Sequence, residues 1–139
     1  MKILTTNFLT CAVKSCRSSP TSFPLHFRDA SLARTEIPFQ PLFILNILPR
    51  LDYDSLTTTA TELSLQSLVP ERSVLEALQE KKATGEIIDE AENEELLKQL
   101  HTLLMETEVR EGKLCCANCG FEYPIKEGVG NFLLPAHLV

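Results

Sequence analysis

The stretch Cys116-Ala117-Asn118-Cys119-Gly120 decides the fold expected for this chain of 139 residues. Two cysteines separated by two residues have the spacing of a zinc knuckle, in which the backbone turns beneath one metal ion. Gly120 supplies the backbone freedom that such a tight turn requires. The stretch therefore predicts half of a metal site near the C-terminal end of the sequence.

A second pair of cysteines, Cys11 and Cys16, lies 99 residues upstream of this knuckle. The two pairs together offer four thiolates, enough for a closed tetrahedral site with structural Zn²⁺. Cys115 is left as a spare, and we expect its side chain to point away from that of Cys116, because successive residues of an extended segment face opposite sides. The odd count of five argues against a disulfide framework.

Two other interpretations of the cysteines stay open at this point. They could be buried inert thiols, or Cys116 and Cys119 could form a redox pair. A redox Cys-x-x-Cys normally opens a helix, whereas residues typical of a turn and a strand follow this one.

A zinc ion held by both pairs would fasten the two ends of the chain together. The residues between them would then form an insertion, which costs little because loop-closure entropy grows slowly with length. We predict an α+β fold, with a small β-rich zinc-binding domain formed by residues 1–39 plus 113–139 and a central helical domain inserted at 40–112.

The local patterns predict short strands in the terminal segments and helices in the centre. The strands are expected at Phe23–Phe27, Thr35–Phe39, Lys113–Cys116, Phe121–Ile125 and Val129–Leu134, with 28–34 as a connection. The helices are expected at Pro41–Leu48, at 54–66 capped by Asp54, at Arg72–Ala83, and at Glu90–Thr107 after a capping box at Asp89.

Charge and composition narrow the possible functions. The net charge is −6, with 6% aromatic residues and no Trp, which argues against unaided binding to nucleic acid. The longest apolar stretch, Leu42–Leu48, is far shorter than a membrane span. No secretory leader is evident, so we expect an intracellular protein.

Catalytic patterns are missing from the sequence. It has no Gly-x-Gly-x-x-Gly, no P-loop and no Gly-x-Ser-x-Gly, and its three histidines form no arguable catalytic set. Four thiolates would also leave a zinc ion no open position for chemistry. We therefore predict a binding or structural protein with no catalytic residues. The segment Val129–Leu134 has apolar side chains on both strand faces, which suits either core packing or a partner.

Several motifs, in this order along the chain, resemble one eukaryotic family. They are Met1–Leu9, Phe39–Phe43, Leu100–Leu104, Glu111-Gly112, and Pro124-Ile125 followed by Gly128 and Asn131–Leu134. The family is the multifunctional tRNA methyltransferase activator subunit, a small zinc-binding subunit shared by several S-adenosylmethionine-dependent methyltransferases. The ending Leu133–Val139 is similar to the fungal members. Gly130 departs from the proline usual before this asparagine.

The resemblance implies a zinc-binding domain built from both termini and a central helical domain. It also implies that Cys11, Cys16, Cys116 and Cys119 are the ligands of a structural zinc. Members of the family form heterodimers with catalytic subunits, which they activate and stabilise. These catalytic subunits modify tRNA, small-subunit rRNA and the peptide-chain release factor. We expect cytoplasmic and nuclear location, RNA contact only through the partner, and one partner at a time.

In such complexes a strand of the zinc-binding domain extends the methyltransferase sheet and masks apolar surface. The side chains expected to contact the catalytic subunit here are Phe8, Leu9, Ile125, Val129, Asn131, Phe132, Leu133 and Leu134.

An alternative from another class is a zinc-ribbon module that binds RNA or DNA itself. Its support is the net charge of +4 over residues 1–50, with Lys14 and Arg17 beside the first cysteine pair. Salt-sensitive RNA binding by the isolated chain would favour it.

Overall fold

The computed structural model describes residues 1–16 and 19–138 and shows the expected α+β class. Four antiparallel strands form one sheet in the order β1-β2-β3-β4. The strands are β1 (His26–Arg34), β2 (Thr107–Cys115), β3 (Glu122–Lys126) and β4 (Val129–Gly130). The helices of the described residues are α1 (Ile3–Thr6), α2 (Pro41–Ile47), α3 (Tyr53–Glu62), α4 (Arg72–Ala83) and α5 (Glu94–His101), with short 3₁₀ turns at Pro20–Ser22, Leu48–Arg50, Gln66–Leu68 and Ala136–Leu138.

The first residues of the chain contact β2 and the turn between β3 and β4, which lie in its C-terminal part. Lys2 forms a β-bridge with Glu108 of β2. The amino group of Met1 donates to the carbonyl oxygen of Val109 at 2.9 Å and to that of Gly128. The two ends of the sequence are therefore adjacent in space, as the cysteine spacing predicts.

The strand prediction around residues 23–39 was wrong. The segment expected to be a connection, 28–34, lies within β1 and pairs with β2, from His26 opposite Cys115 to Arg34 opposite Thr107. The register shifts between Arg28 and Leu32, and Asp29 has a positive φ of 51°. This irregularity and the exposure of most β1 side chains hide the alternation of apolar and polar residues that identifies a strand.

The helix predictions starting at Pro41 and at Arg72 are confirmed within one residue. The helix expected at residue 54 begins at Tyr53, because Asp52 and not Asp54 is its N-cap. The Asp52 carboxylate accepts a hydrogen bond from the backbone N–H of Ser55 at 2.9 Å. The side chain of Asn7 also bonds the Asp52 backbone, which joins the N-terminal segment to this helix.

The predicted helix at 90–107 is shorter than expected. Asp89 accepts hydrogen bonds from the backbone of Ala91 and Glu92, but this caps a turn that precedes α5. After His101 the backbone widens into a π-helical turn over Thr102–Glu106 and then enters β2. The leucine pattern continues through this turn because its side chains still face the core, so the pattern alone hides where the α-helix ends.

The C-terminal strands also differ in extent from the prediction. β2 begins at Thr107, six residues before the expected start, and β4 ends at Gly130, four residues before the expected end. β2 therefore spans the predicted domain boundary between residues 112 and 113, and the division into two domains stays a prediction.

The core is one continuous cluster of buried side chains that runs from the helices into the sheet. Its largest fully buried members are Ile3, Leu25, Ile44, Leu48, Leu56, Leu75, Leu97, Leu100, Leu103, Leu104, Leu114 and Tyr123. Across residues 1–16 and 19–138, none of the helices has the length and apolar character needed to span a bilayer.

Candidate metal centre and exposed apolar surface

The four predicted ligand cysteines come together in the folded chain. The Sγ atoms of Cys11, Cys16, Cys116 and Cys119 all lie within 4.8 Å of one another. Cys119 is exposed, whereas the other three are buried. The two cysteine pairs, which are 99 residues apart in the sequence, thus form one cluster of sulfur atoms in the fold.

Backbone hydrogen bonds hold each cysteine pair in place. In the knuckle, the N–H of Gly120 donates to the carbonyl oxygen of Cys116 at 2.9 Å, and Gly120 has a φ of +77°. In the N-terminal pair, the N–H of Cys16 donates to the carbonyl oxygen of Val13 at 2.9 Å. Cys11 precedes that turn, and its own N–H donates to the carbonyl oxygen of Ser22 at 3.1 Å.

The sulfur positions fit a tetrahedral metal ion. The Sγ atoms of Cys16 and Cys116 are 3.4 Å apart, and those of Cys11 and Cys119 are 3.6 Å apart. Zn–S bonds of about 2.3 Å give tetrahedral edges of about 3.8 Å. Four thiolates are a soft donor set that zinc and iron–sulfur centres prefer. The four cysteines can therefore hold a metal ion.

The electrostatics of the cluster favour a cation. Burial raises the pKa of Cys16 to about 12. Burial also opposes ionisation of Cys116, but hydrogen bonds from the backbone N–H of Cys119, the side chain of Cys16 and the backbone N–H of Asn118 lower its pKa to about 7. Cys116 thus ionises more easily than Cys16, because hydrogen bonds stabilise its thiolate whereas burial opposes that of Cys16. A bound cation stabilises thiolates directly, so it would favour the ionised form of both.

Cys115 lies outside this cluster, as predicted. Its Sγ faces the carboxylate of Glu122 at 3.5 Å on the other side of the strand. Burial, with the neighbouring Glu122 carboxylate, raises the pKa of this thiol. Cys115 is therefore a poor candidate for a metal ligand or a reactive thiolate.

Two residues that contact the ligand sulfurs were not identified from the sequence. The hydroxyl of Tyr123 lies 3.1 Å from the Sγ of Cys11, and the side-chain amide of Asn118 lies 3.1 Å from the Sγ of Cys16. The position of Asn118 inside the knuckle was a usable signal. Nothing in the local sequence indicates the contact of Tyr123, which depends on the fold.

The residues predicted to contact a partner differ in exposure. Val129 is 69% exposed, Leu133 is 86% exposed and Phe8 is 50% exposed. Asn131 is exposed, and Leu9, Phe132 and Leu134 are half-buried. Ile125 is only 1% exposed, so its side chain belongs to the core of the free chain.

Val129 and Leu133 both line a surface groove of about 430 Å³. Its other lining residues are Pro124, Lys126, Gly130 and Asn131. β4 is the last strand of the sheet, and beyond it the backbone is held by a hydrogen bond from the N–H of Asn131 to the carbonyl oxygen of Pro124 at 2.8 Å. We call residues 129–134 the edge segment. It combines an outer sheet edge with exposed apolar side chains.

Comparison with known proteins assigns the family. The family model described as Trm112p-like protein matches residues 2–128. The chain belongs to the Trm112p-like family. The Trm112p-like chain is 52% identical to the multifunctional methyltransferase subunit trm112 of Neurospora crassa, with 100% of both chains covered. It is 43% identical to the corresponding subunit of Saccharomyces cerevisiae, also with both chains fully covered. The resemblance found in the sequence is thus confirmed.

A solved structure shares the fold. A chain of the E. cuniculi Mtq2–Trm112 complex, which is responsible for methylation of the eRF1 translation termination factor, superposes with a TM-score of 0.53. The sequences are 16% identical, and the match covers 96% of this chain and 95% of that one. The α+β arrangement of this Trm112p-like chain therefore recurs in that structure.

Proposed function

We propose that this chain is a non-catalytic activating and stabilising subunit of several S-adenosylmethionine-dependent methyltransferases. The catalytic subunits act on tRNA, small-subunit rRNA and the peptide-chain release factor, and they bind one at a time as heterodimers. The observation that carries the proposal is the exposed apolar edge segment, found in a chain whose relatives are named methyltransferase subunits. The complexes are proposed to work in the cytoplasm and the nucleus.

The edge segment has the properties needed to complete another protein's sheet. An outer strand leaves backbone donors and acceptors that a second strand can pair with. Val129 and Leu133 add apolar area that loses contact with water when covered. Backbone pairing depends little on partner sequence, which explains how one segment can serve several catalytic subunits and why they would compete for it.

The proposed cofactor is a structural Zn²⁺ held by Cys11, Cys16, Cys116 and Cys119. Four thiolates occupy all four coordination positions of a tetrahedral zinc ion. The role assigned to the metal is therefore structural: it joins the N-terminal segment to the knuckle. The knuckle is followed directly by β3 and then by the edge segment. The metal would thus hold the partner-binding strands in place without taking part in methyl transfer.

Co-expression with a methyltransferase catalytic subunit tests the proposal. Val129→Asp combined with Leu133→Asp places two charges in the interface, and we expect loss of co-purification and of catalytic-subunit solubility. Because both side chains are exposed in the free chain, the variant should keep its own thermal stability. Ile87→Asp is the matched control, since Ile87 is 98% exposed and lies between α4 and α5.

Unchanged solubility and methylation with the double variant would contradict the proposed surface. Direct binding of the isolated chain to RNA at physiological salt would instead support the zinc-ribbon alternative. The acidic net charge of −6 is unfavourable for that activity. Arg17, part of the basic segment that suggested it, lies outside the described residues.

A further inference from the structure

The hydroxyl of Tyr123 is positioned to donate a hydrogen bond to a ligand sulfur. Tyr123 is completely buried, and its oxygen accepts the backbone N–H of Ala12 at 2.9 Å. Because an N–H can only donate, the single proton of the hydroxyl is left for its other neighbour, the Sγ of Cys11 at 3.1 Å. A cysteine that ligates a metal is a thiolate and carries no proton, so with Cys11 as a ligand the hydroxyl of Tyr123 is the donor.

Aromatic packing holds this hydroxyl in place. The ring of Tyr123 packs against those of Phe121 and Phe132, with a centroid distance of 4.9 Å to each. Such contacts restrict the ring to one orientation. The hydroxyl is thus pre-positioned beside Cys11.

Asn118 makes the corresponding contact with the second N-terminal ligand. Its side-chain amide N–H donates to the Sγ of Cys16 at 3.1 Å. Its side-chain oxygen accepts the hydroxyl of Thr21 at 2.9 Å, and the amide N–H faces the sulfur because a ligand thiolate can only accept. Both donors, Tyr123 and Asn118, come from the C-terminal part of the chain and reach sulfurs of the N-terminal pair.

We propose that Tyr123 and Asn118 are positioning residues of the metal centre, which set its affinity for zinc through hydrogen bonds to the sulfurs of Cys11 and Cys16. A zinc ion with four thiolates carries a net charge of −2, and three of these sulfurs are buried. Donors aimed at sulfur disperse this charge and hold the ligands in the bound geometry before the metal arrives. The inference rests on the zinc site of the proposed function.

Zinc competition with a chromophoric chelator tests the two residues separately. We expect Tyr123→Phe and Asn118→Ala each to weaken zinc binding by about 10-fold to 100-fold, the range typical of lost outer-shell partners. Tyr53→Phe is the matched control for the first, since the Tyr53 hydroxyl donates to the carbonyl oxygen of Pro70 at 2.8 Å, remote from the cysteines. Asn93→Ala, which removes an amide bonded to the carbonyl oxygen of Asp89, is the control for the second.

A spectroscopic measurement separates hydrogen bonding to sulfur from a general effect on stability. In the Co²⁺-substituted protein, loss of a donor raises the energy of the sulfur electrons, so the sulfur-to-cobalt charge-transfer band should move to lower energy in Tyr123→Phe. The Tyr53→Phe band should not move. Asn118 is exposed, so Asn118→Ala keeps the test decisive even if the Tyr123 variant does not fold.

The outcomes distinguish this inference from the function on which it rests. Wild-type chain that binds zinc, with both variants matching their controls in affinity and spectrum, would overturn the roles of Tyr123 and Asn118 alone. Wild-type chain that binds no zinc would overturn the zinc site itself and this inference with it. Weaker binding together with the band shift would support both.

Discussion

The Nδ1 atom of His26 lies 2.6 Å from the Oε2 atom of Glu62, which joins the start of β1 to the end of α3. The other oxygen of the same carboxylate accepts the backbone N–H of Phe27 at 3.2 Å. Both side chains are about one-quarter exposed. One carboxylate thus links the sheet to the helices that pack beside it.

Replacement of Glu62 by Ala should lower the free energy of unfolding by about 1 to 2 kcal/mol. The change removes two hydrogen bonds to a charged group and leaves the N–H of Phe27 without its partner. Urea denaturation measures the effect. Glu80→Ala, on the exposed side of α4, should change stability by less than about 0.5 kcal/mol, and equal losses in the two variants would contradict the link.

Removal of the metal should destabilise the whole chain. At free zinc about 1,000-fold above the dissociation constant, binding adds about 4 kcal/mol to the free energy of unfolding. For a chain of this size, a strong chelator should lower Tm on the order of 10 to 20 °C. Calorimetry with and without chelator, alongside a metal analysis expecting about one zinc per chain, checks the prediction.

Adjacent cysteines provide the control for the metal prediction. Cys116→Ser should reproduce the effect of the chelator, because it removes a ligand sulfur. Cys115→Ser should keep both zinc content and Tm near wild type, because this sulfur faces Glu122. If Cys115→Ser lost the metal and Cys116→Ser kept it, the ligand assignment would be wrong.

Gly112 lies where β2 pairs with the irregular part of β1, and its surroundings are tightly packed. Its φ is +141°, and an added Cβ would lie 3.0 Å from both the Ala30 Cα and the Arg28 carbonyl oxygen. We expect Gly112→Ala to lower the free energy of unfolding by about 2 to 3 kcal/mol, since backbone strain and the close contact with the β1 backbone act together. Thermal denaturation gives the value.

Comparison with Gly85 separates the effect of backbone strain from that of the contact with β1. It also has a positive φ, +82°, but an added Cβ would meet nothing within 4 Å. Gly85→Ala should therefore cost only the strain, about 1 kcal/mol. A loss in Gly112→Ala no larger than that would show that the contact with β1 is easily relieved.

Glu106 should make stability depend on pH in the acid range. A hydrogen bond from the backbone N–H of Ile37 lowers the pKa of this carboxyl from its ordinary value, with smaller contributions from the hydroxyl of Thr102 and the charges of His101 and Arg34. Burial opposes the shift. Between the folded and unfolded pKa values the unfolded chain binds more protons, so stability rises with pH there.

The free energy of unfolding should therefore fall as pH decreases from about 5 through the pKa of the folded chain. The free energy of unfolding of the Glu106→Gln variant should fall less steeply over that interval, because the amide does not ionise. Urea denaturation at a series of pH values compares the two. Parallel profiles would exclude Glu106 as a source of the pH dependence.

The elements that the sequence predicted well are those specified by nearby residues. Pro41 at the start of α2, and the apolar spacing of α4, are local signals, and both helices appear at the expected positions. The four cysteines were also predicted to come together, because their spacing and chemistry suit one ion. The ion itself stays a proposal.

The elements that the sequence missed depend on distant partners. β1 is a strand because β2 pairs with it along its length, although its own residues resemble a polar connection. The end of α5 is set by the start of β2 and not by a helix-stop residue. Tyr123 gains its place beside Cys11 only when the two ends of the chain meet, so no local pattern could reveal it.

The division of the cysteine cluster between the two ends has a consequence for biosynthesis. Cys11 and Cys16 are translated about 100 residues before Cys116, which corresponds to roughly 5 to 20 s at usual elongation rates. During that interval the nascent chain offers two thiols and no complete centre. A four-sulfur centre can therefore form only after Cys119 has been translated, and until then the N-terminal pair is a two-thiol half-site.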